Sequence, residues 1–208
     1  MAEPTISEIP SERLSEVVDV LAEAFHNYEA MRYILGELGG EYATRLRTLI
    51  GYFAGSRVAV GSPILGVTIG PPLGLVAAAV FDPPNPPPRS GVDDLARSLG
   101  EEAVQRLRSF GTATTSLEPN YGFYYLGMIG VASDHRGKGY AKLLVNRIAE
   151  FSELHSDSRG VLLTTEHEPN LALYQSMGFA TLGDVVTADG RLHSWTLFRP
   201  DAIRADPR

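Results

Sequence analysis

The 208-residue sequence contains no cysteine. This absence excludes a disulfide framework, a thiolate metal site and a cysteine nucleophile. A surplus of basic residues is also missing, since 18 Lys and Arg residues against 25 Asp and Glu residues give a formal net charge of −7. Because nucleic-acid binding requires a basic surface, we expect no nucleic-acid partner.

The N-terminal residues lack the basic and apolar regions of a signal peptide. Residues 58–81 contain no charged side chain, which is long enough for a membrane span. Glycines and prolines divide this run into ILGVTI and LGLVAAAVF, joined through GPP, which favours two strands. We therefore expect a soluble, cytoplasmic protein with no membrane partner.

The histidines do not show the spacing of a metal site. No two of them are separated by four residues, the interval that places two imidazoles on one helix face. We predict no metal. The five are His26, His135, His155, His167 and His193.

The length and a hydrophobic content of 44% suit one domain over residues 1–208. Helical spacing predicts three helices before residue 58, the first with Ser11 as its N-cap, and an extra helix from Val92 to about Phe110 after a proline-rich loop that begins at Asp82. A polar loop is expected at 111–122, and Asp189-Gly190 predicts a hairpin turn. These patterns indicate an α/β fold with a mixed sheet. Strands are predicted at residues 5–9, 64–69, 73–81, 123–131, 160–165, 179–187 and 192–198.

One stretch, VASDHRGKGYAKLLV at residues 131–145, places two glycines and two cations where a strand gives way to a helix. The Walker loop does not fit, because Lys138 is followed by Gly139 instead of Ser or Thr. The dinucleotide fingerprint does not fit either, because Lys142 stands at its third glycine.

The remaining interpretation of this stretch is an anion site at a helix N-terminus. Amides of residues 137–141 would point outward at the positive end of the helix dipole, and Gly139 would let a pyrophosphate approach closely. A turn that merely starts a helix would explain the glycine but not Arg136 and Lys138, two cations at an already positive end. An anion resolves that conflict.

The pattern Arg136-x-x-Gly139-x-Ala141 after LGMIGV resembles the acyl-CoA pyrophosphate motif of the GNAT superfamily of N-acyltransferases. The segment PNLALYQSMGF at 169–179 is similar to that family's next signature, an Asn, a Tyr four residues later, then Gly-Phe. The segments AEAFHNYEAMRY and EPNYGFYYLGMIGV look like the branch that contains puromycin N-acetyltransferase.

The resemblance implies a mostly antiparallel mixed sheet, flanked by helices and split at the cofactor site. It implies acetyl-CoA as the acyl donor, with its pantetheine arm along the backbone of Ile129, Gly130 and Val131. The other expected cofactor-binding residues are Arg136, Gly137, Lys138, Gly139, Tyr140, Ala141 and Asn170. Asn170 would also serve as an N-cap of its helix.

Tyr174 is the catalytic candidate that the resemblance implies, protonating the departing thiolate. An unperturbed phenol has a pKa near ~10, which suits that role. From helical spacing alone, Tyr174 would be a core residue. The general base is left open, with Glu118 and Glu166 as candidates. Aromatic residues expected at the acceptor pocket, each of which could also be core, are Phe25, Tyr28, Tyr125 and Trp195.

The predicted function is direct transfer of an acetyl group from acetyl-CoA to the primary amine of a small molecule, by a monomer or homodimer. The absence of cysteine agrees with this route, because no thiol can carry the acyl group. Two alternatives stay open: a catalytically silent acyl-CoA-binding sensor module, and an acetyltransferase of protein N-termini or lysines.

Overall fold

The computed structural model describes residues 3–36, 39–72 and 74–202. The strands are β1 (Thr5–Glu8), β2 (Ile64–Ile69), β3 (Gly74–Asp82), β4 (Tyr124–Val131), β5 (Gly160–Thr165), β6 (Ala180–Val186) and β7 (His193–Pro200). The helices are α1 (Leu14–Ala24), α2 (Glu29–Leu35), α3 (Tyr42–Ala59), α4 (Val92–Leu99), α5 (Glu101–Thr115), α6 (Tyr140–Leu154) and α7 (Asn170–Gln175). Leu73, predicted to open a strand, lies outside the described residues.

The strands form one seven-stranded sheet in the order β1-β2-β3-β4-β5-β7-β6. All neighbouring pairs are antiparallel except β4 and β5, which are parallel. The predicted mixed, mostly antiparallel sheet is confirmed. The uncharged run at residues 58–81 supplies β2 and most of β3, as predicted. No helix in the described part of the chain is both long and apolar enough to cross a bilayer.

The sheet is split between β4 and β5. Their pairing covers three residue pairs and ends at Leu126 and Leu163. On its other side β4 stays paired with β3 as far as Val131, with a register shift next to Gly127. The backbone edge of β4 that faces β5 is therefore free of a strand partner beyond Leu126, which is the geometry of the expected split.

The register shift at Gly127 is a β-bulge, and it changes which side chains face which core. Tyr124 and Leu126 belong to the cluster that includes α6, whereas Met128 belongs to the opposite cluster, with α1 to α5. Ile129 and Val131 then pack on the α6 side. An extra residue in one strand reverses the alternation of faces after it.

Three sequence predictions about local structure are wrong. The helix predicted at 92–110 is two helices, because Gly100, with φ of 85°, separates α4 from α5. The polar loop at 111–122 is helical as far as Thr115. Ser11 begins a short 3-10 turn without a side-chain capping bond, and α1 starts only at Leu14.

Candidate active site

A cleft of about 1560 Å³ occupies the split between β4 and β5. Pockets for one drug-sized ligand measure roughly 300–1,000 Å³, so this cleft has room for two substrates. Its walls come from the ends of α1 and α3, the proline-rich loop, α5, β4, the glycine turn and α7. The elements brought together here are far apart in sequence.

The phosphate turn, residues 133–141, joins β4 to α6 at one end of the cleft. Gly137 and Gly139 have φ values of 74° and 82°, in the left-handed region that favours glycine. A Cβ at either position would meet no atom within 4 Å, so the space beside both backbones is open. Gly139 is the residue before the first turn of α6, whose N–H groups have no partner within the helix.

The two cations of the phosphate turn differ in their orientation. Arg136 lines the cleft, whereas Lys138 does not. The Lys138 ammonium donates instead to the carbonyl of Asp134 at 2.9 Å. From α1, Glu23 accepts the Ser133 backbone N–H at 2.8 Å, and this contact fixes the start of the turn.

The unpaired part of β4 borders the cleft at all three positions predicted to meet the pantetheine arm. Ile129, Gly130 and Val131 line it. A Cβ at Gly130 would lie 2.7 Å from the Cβ of Ala24, so a glycine is needed where α1 crosses this strand. The free strand edge and the phosphate turn therefore border the same cleft.

The buried cluster consists of Tyr28, Thr165, Glu166 and Tyr174, and all of these except Thr165 line the cleft. The Tyr28 hydroxyl lies 2.9 Å from the Thr165 Oγ1 and accepts the backbone N–H of Glu166 at 2.9 Å. These bonds connect the loop after α1 with the end of β5, residues almost 140 positions apart. The backbone of Glu166 is thereby held beside Tyr28 at the end of β5.

Glu166 is a buried carboxyl with an incomplete set of hydrogen bonds. It is 7% exposed, and its Oε1 has no hydrogen-bond partner among the described residues. Burial raises its pKa to about 7, while the hydroxyls of Ser194 and Tyr28 oppose the shift. A carboxyl that titrates near neutral pH within a cleft is suited to proton transfer.

Tyr174 lies on α7 in the same cleft and is 9% exposed. Burial, and then the charge of Glu166, raise the pKa of its phenol above the ordinary value of 10. The phenol is therefore protonated at neutral pH, as a proton donor must be. The predicted base and acid candidates thus lie within electrostatic reach of each other.

Asn170 and Glu118 both line the cleft. Asn170 is the first residue of α7, and Pro169 occupies the N-cap, so the predicted capping role is wrong. Its amide donates to the Thr165 Oγ1 at 3.2 Å instead.

Partial desolvation raises the pKa of Glu118, although its side chain is exposed. Of the two candidate bases, Glu166 is the buried one.

Three of the four aromatic residues predicted for the acceptor pocket line the cleft: Phe25, Tyr28 and Tyr125. Trp195 does not, because its ring packs against the cluster on the α6 side of the sheet and against His193, at a centroid distance of 4.1 Å. Trp195 is thus not among the residues that border this cleft, and its assignment to the acceptor pocket stays a prediction. It lies on β7, which pairs with the opposite side of β5.

The sequence interpretation missed an ionic cluster in the same cleft. Asp82, at the end of β3, accepts from the Nε of Arg57 at 3.0 Å and pairs with Arg89. A signal was present, since Arg57 stands four residues after Phe53 and continues the buried stripe of α3. A charge at a predicted core position indicates a buried partner.

Residues 99–179 match the family model described as Acetyltransferase (GNAT) family, a segment that contains the phosphate turn and α7. No curated protein is significantly similar in sequence. The resemblance to the GNAT family predicted from the sequence is therefore confirmed over residues 99–179, whereas its finer placement in the puromycin branch stays a prediction.

Solved structures share the fold over nearly the whole chain. A Corynebacterium glutamicum protein described as histone acetyltransferase HPA2 and related acetyltransferase has a TM-score of 0.72 at 23% identity, covering 99% of this chain and 100% of that one. Arylalkylamine N-acetyltransferase 2 from Aedes aegypti has a TM-score of 0.64 at 12% identity, covering 94% and 97%. An agmatine N-acetyltransferase has a TM-score of 0.61 at 13% identity, covering 94% and 99%. At these identities the likeness establishes the fold alone.

Proposed function

We propose that this protein transfers an acetyl group from acetyl-CoA directly to a primary amine of a small molecule. The observation that carries the proposal is the meeting, in one cleft, of the free edge of β4, the open phosphate turn and a buried carboxyl beside a buried phenol. Two of the structural neighbours are named as acetyltransferases of small amines, which favours this acceptor class.

In the proposed donor site, residues 137–141 bind the pyrophosphate through backbone N–H groups at the start of α6, with Arg136 beside them. The free edge of β4 at Ile129 to Val131 pairs with the pantetheine arm as an added strand would. Acetyl-CoA supplies an acyl group activated by its thioester bond. A backbone N–H of β4 polarises the thioester carbonyl.

In the proposed reaction, the amine attacks in its neutral form, and Glu166 accepts the one proton that its nitrogen loses as the new bond forms. The amine nitrogen forms a bond to the acetyl carbon, the carbon–sulfur bond breaks, and Tyr174 donates its proton to the leaving sulfur. Proton transfer from the neutral Glu166 to the Tyr174 phenolate then restores both groups. The net result is an amide and free coenzyme A, with atoms and charges balanced.

The charge of Glu166 links the two proton transfers. While Glu166 is ionised, it raises the pKa of the Tyr174 phenol. Once Glu166 has taken the proton from the amine, that electrostatic contribution disappears, and the phenol becomes a stronger acid when the thiolate leaves. Two coupled groups in one low-dielectric site behave in this way.

The test is acetyl-CoA-dependent release of free thiol in the presence of a panel of primary amines. We expect turnover by the wild type and a loss of kcat of about 10²-fold or more in Tyr174→Phe, with little change in acetyl-CoA affinity. Tyr52→Phe is the matched control, because Tyr52 lies on α3 and does not line the cleft.

Two other results would assign another function. Calorimetric binding of acetyl-CoA without turnover on any amine or peptide would support the acyl-CoA-binding sensor. Turnover confined to peptide N-termini or lysine side chains would support protein acetylation. Failure to bind acetyl-CoA would overturn the proposal and both alternatives.

A further inference from the structure

The ionic cluster of Arg57, Asp82 and Arg89 is a second charged site in the cleft. Two guanidinium groups share one carboxylate, so the cluster carries a net charge of +1. Burial lowers the pKa of Arg57, Asp82 opposes this effect, and the positive charge of Arg89 lowers the pKa further. The ionic cluster therefore keeps a net positive charge in a largely buried part of the cleft, where water screens charge poorly.

The two arginines are not equivalent. The side chain of Arg57 is 5% exposed, and its nitrogens donate to Asp82 and to the carbonyl of Phe53. The side chain of Arg89 is 28% exposed, lines the cleft, and contacts Asp82 through one terminal nitrogen. Within the described parts of the chain Arg89 has no other hydrogen bond or ion pair, so further N–H donors remain for a ligand.

The proline-rich loop explains how Arg89 is held in position. Residues 83–86 line the cleft between Asp82, at the end of β3, and Arg89. Consecutive prolines restrict the backbone to extended conformations, so such a connector is stiff. The loop thus presents a guanidinium group to the cleft.

This cluster is separate from the phosphate turn. Asp82 pairs with Tyr125 near the start of β4, whereas the turn follows Val131 at its end. Six residues of strand span roughly 20 Å at ~3.3 Å per residue. The cluster is, however, close to the candidate base, because Arg57 and Glu166 both act electrostatically on the phenol of Tyr125.

The neighbouring surface is apolar. Phe53, Leu107 and Phe110 line the cleft with the cluster, and Arg57 bonds to the backbone of Phe53. Glu118 also acts on Tyr125, but its side chain is exposed. Exposed charges are screened by water far more than buried ones, so the arginine cluster dominates the field at this end.

We propose that the acceptor is an amine that also carries a carboxylate, which Arg89 binds through its free guanidinium N–H groups while the amine faces Glu166. An apolar stem would connect the two charged ends. Guanidinium groups bind carboxylates through paired, charge-assisted hydrogen bonds. This inference rests on the proposed function and narrows its substrate class.

The test compares three series of matched chain length: ω-amino acids, linear alkylamines and α,ω-diamines. We expect the best ω-amino acid to have a kcat/KM roughly tenfold or more above the alkylamine of the same length, mainly through KM. An optimum chain length should appear, because Glu166 is buried and Arg89 is paired with Asp82, so that neither charged group moves freely. A fourth series, of aminoalkyl phosphates, tests whether Arg89 prefers a phosphate to a carboxylate.

Variants connect the preference to Arg89. Arg89→Gln should bring the ratio between ω-amino acid and alkylamine close to one, and Arg89→Lys should restore part of it. Arg97→Gln is the matched control, because Arg97 on α4 is exposed and pairs with Asp94 outside the cleft. If Arg89→Gln does not fold, the substrate series on the wild type still decides the question.

The possible failures are distinguishable. Equal kcat/KM for alkylamines and ω-amino acids, or a preference for diamines, would overturn this inference and leave the proposed function intact. A preference for aminoalkyl phosphates would overturn the carboxylate assignment. Acetylation of no amine in any series would overturn the proposed function and this inference with it.

Discussion

The phosphate turn and the buried cluster border the same cleft but differ in construction. In the turn, Gly137 and Gly139 have open space beside them, and the shape of the backbone follows from neighbouring residues. In the buried cluster, Glu166 and Tyr174 are held by contacts from distant segments and are 7% and 9% exposed. The proposed anion site thus depends on local backbone geometry, whereas the proposed proton-transfer groups depend on burial.

This contrast has an energetic side. A glycine turn at a helix N-terminus costs little to fold, and its N–H groups are stabilised when an anion binds. A buried carboxyl with an unpaired oxygen lowers stability whenever it is ionised. We therefore expect substitutions in the turn to weaken donor binding, whereas substitutions in the buried cluster should change turnover and stability in opposite directions.

Glu166→Gln should have the largest effect. We expect kcat/KM for the amine to fall by about 10³-fold, because the amide cannot accept the proton. In the wild type, kcat/KM should rise with pH up to about 7, the pKa to which burial raises Glu166, and then level off. The variant should lose this dependence in a stopped assay across pH.

The matched control is Glu168→Gln, an exposed carboxyl outside the cleft. It should retain both the rate and the pH profile of the wild type. An unchanged profile in Glu166→Gln would show that another group is the base and would remove the main difference between the two regions.

The same substitution should increase stability above pH 7. Because the folded state raises the pKa of Glu166 from 4.5 to about 7, it holds this proton more tightly than the unfolded chain does. The stabilising contribution is complete below pH 4.5 and is lost as pH rises to about 7. Neutral Gln avoids the loss, so we expect Glu166→Gln to be more stable at pH 8 by up to about 3 kcal/mol.

Urea unfolding of the wild type and Glu166→Gln at pH 4.5 and pH 8 measures this prediction. The difference in the free energy of unfolding between the two proteins should grow with pH. A difference that is the same at both pH values would mean that Glu166 titrates normally in the fold.

Gly139→Glu should act on the other region. We expect the Kd for acetyl-CoA, measured by calorimetry, to rise by about 100-fold, because the side chain would fill the open space beside the turn and its charge would repel the pyrophosphate. Gly139→Ala distinguishes backbone strain from charge repulsion, since it adds the same left-handed backbone strain without the negative charge. Equal losses in the two variants would assign the effect to backbone geometry.

Glu23→Gln should have the smallest effect. Its carboxylate accepts the Ser133 N–H, and this hydrogen bond, followed by the charges of Arg136 and His135, lowers the pKa of Glu23. An amide oxygen can keep a weaker form of the bond, so we expect a rise of about threefold in the Kd for acetyl-CoA. A rise as large as that of Gly139→Glu would show that the turn depends on a tertiary contact.

The strands, the turn and α6 could be predicted from the sequence because their signals lie within a few residues of each other. β-Branched runs, glycines at positive φ and helical spacing act over one or two turns of backbone. The two halves of the helix predicted at 92–110 were not separated, because a glycine within a helical pattern does not show by itself whether the helix continues. Gly100 interrupts it here with a positive φ.

The proposed site of proton transfer could not be located in the same way. Glu166 stood among several carboxylates in loops, and only its contact with Tyr28, 138 residues away, and the surrounding burial distinguish it.

The sequence by itself determined the phosphate turn, the α/β class and the family resemblance, since each depends on residues close together in the chain. Tertiary structure decided the bulge at Gly127, which reverses the faces of β4, and the pairing of Arg57 with Asp82, the charges on either side of the uncharged run. It also decided which carboxyl is buried. The physical reason is that burial and charge pairing depend on distances in space, and these are set only when the sheet and its helices assemble.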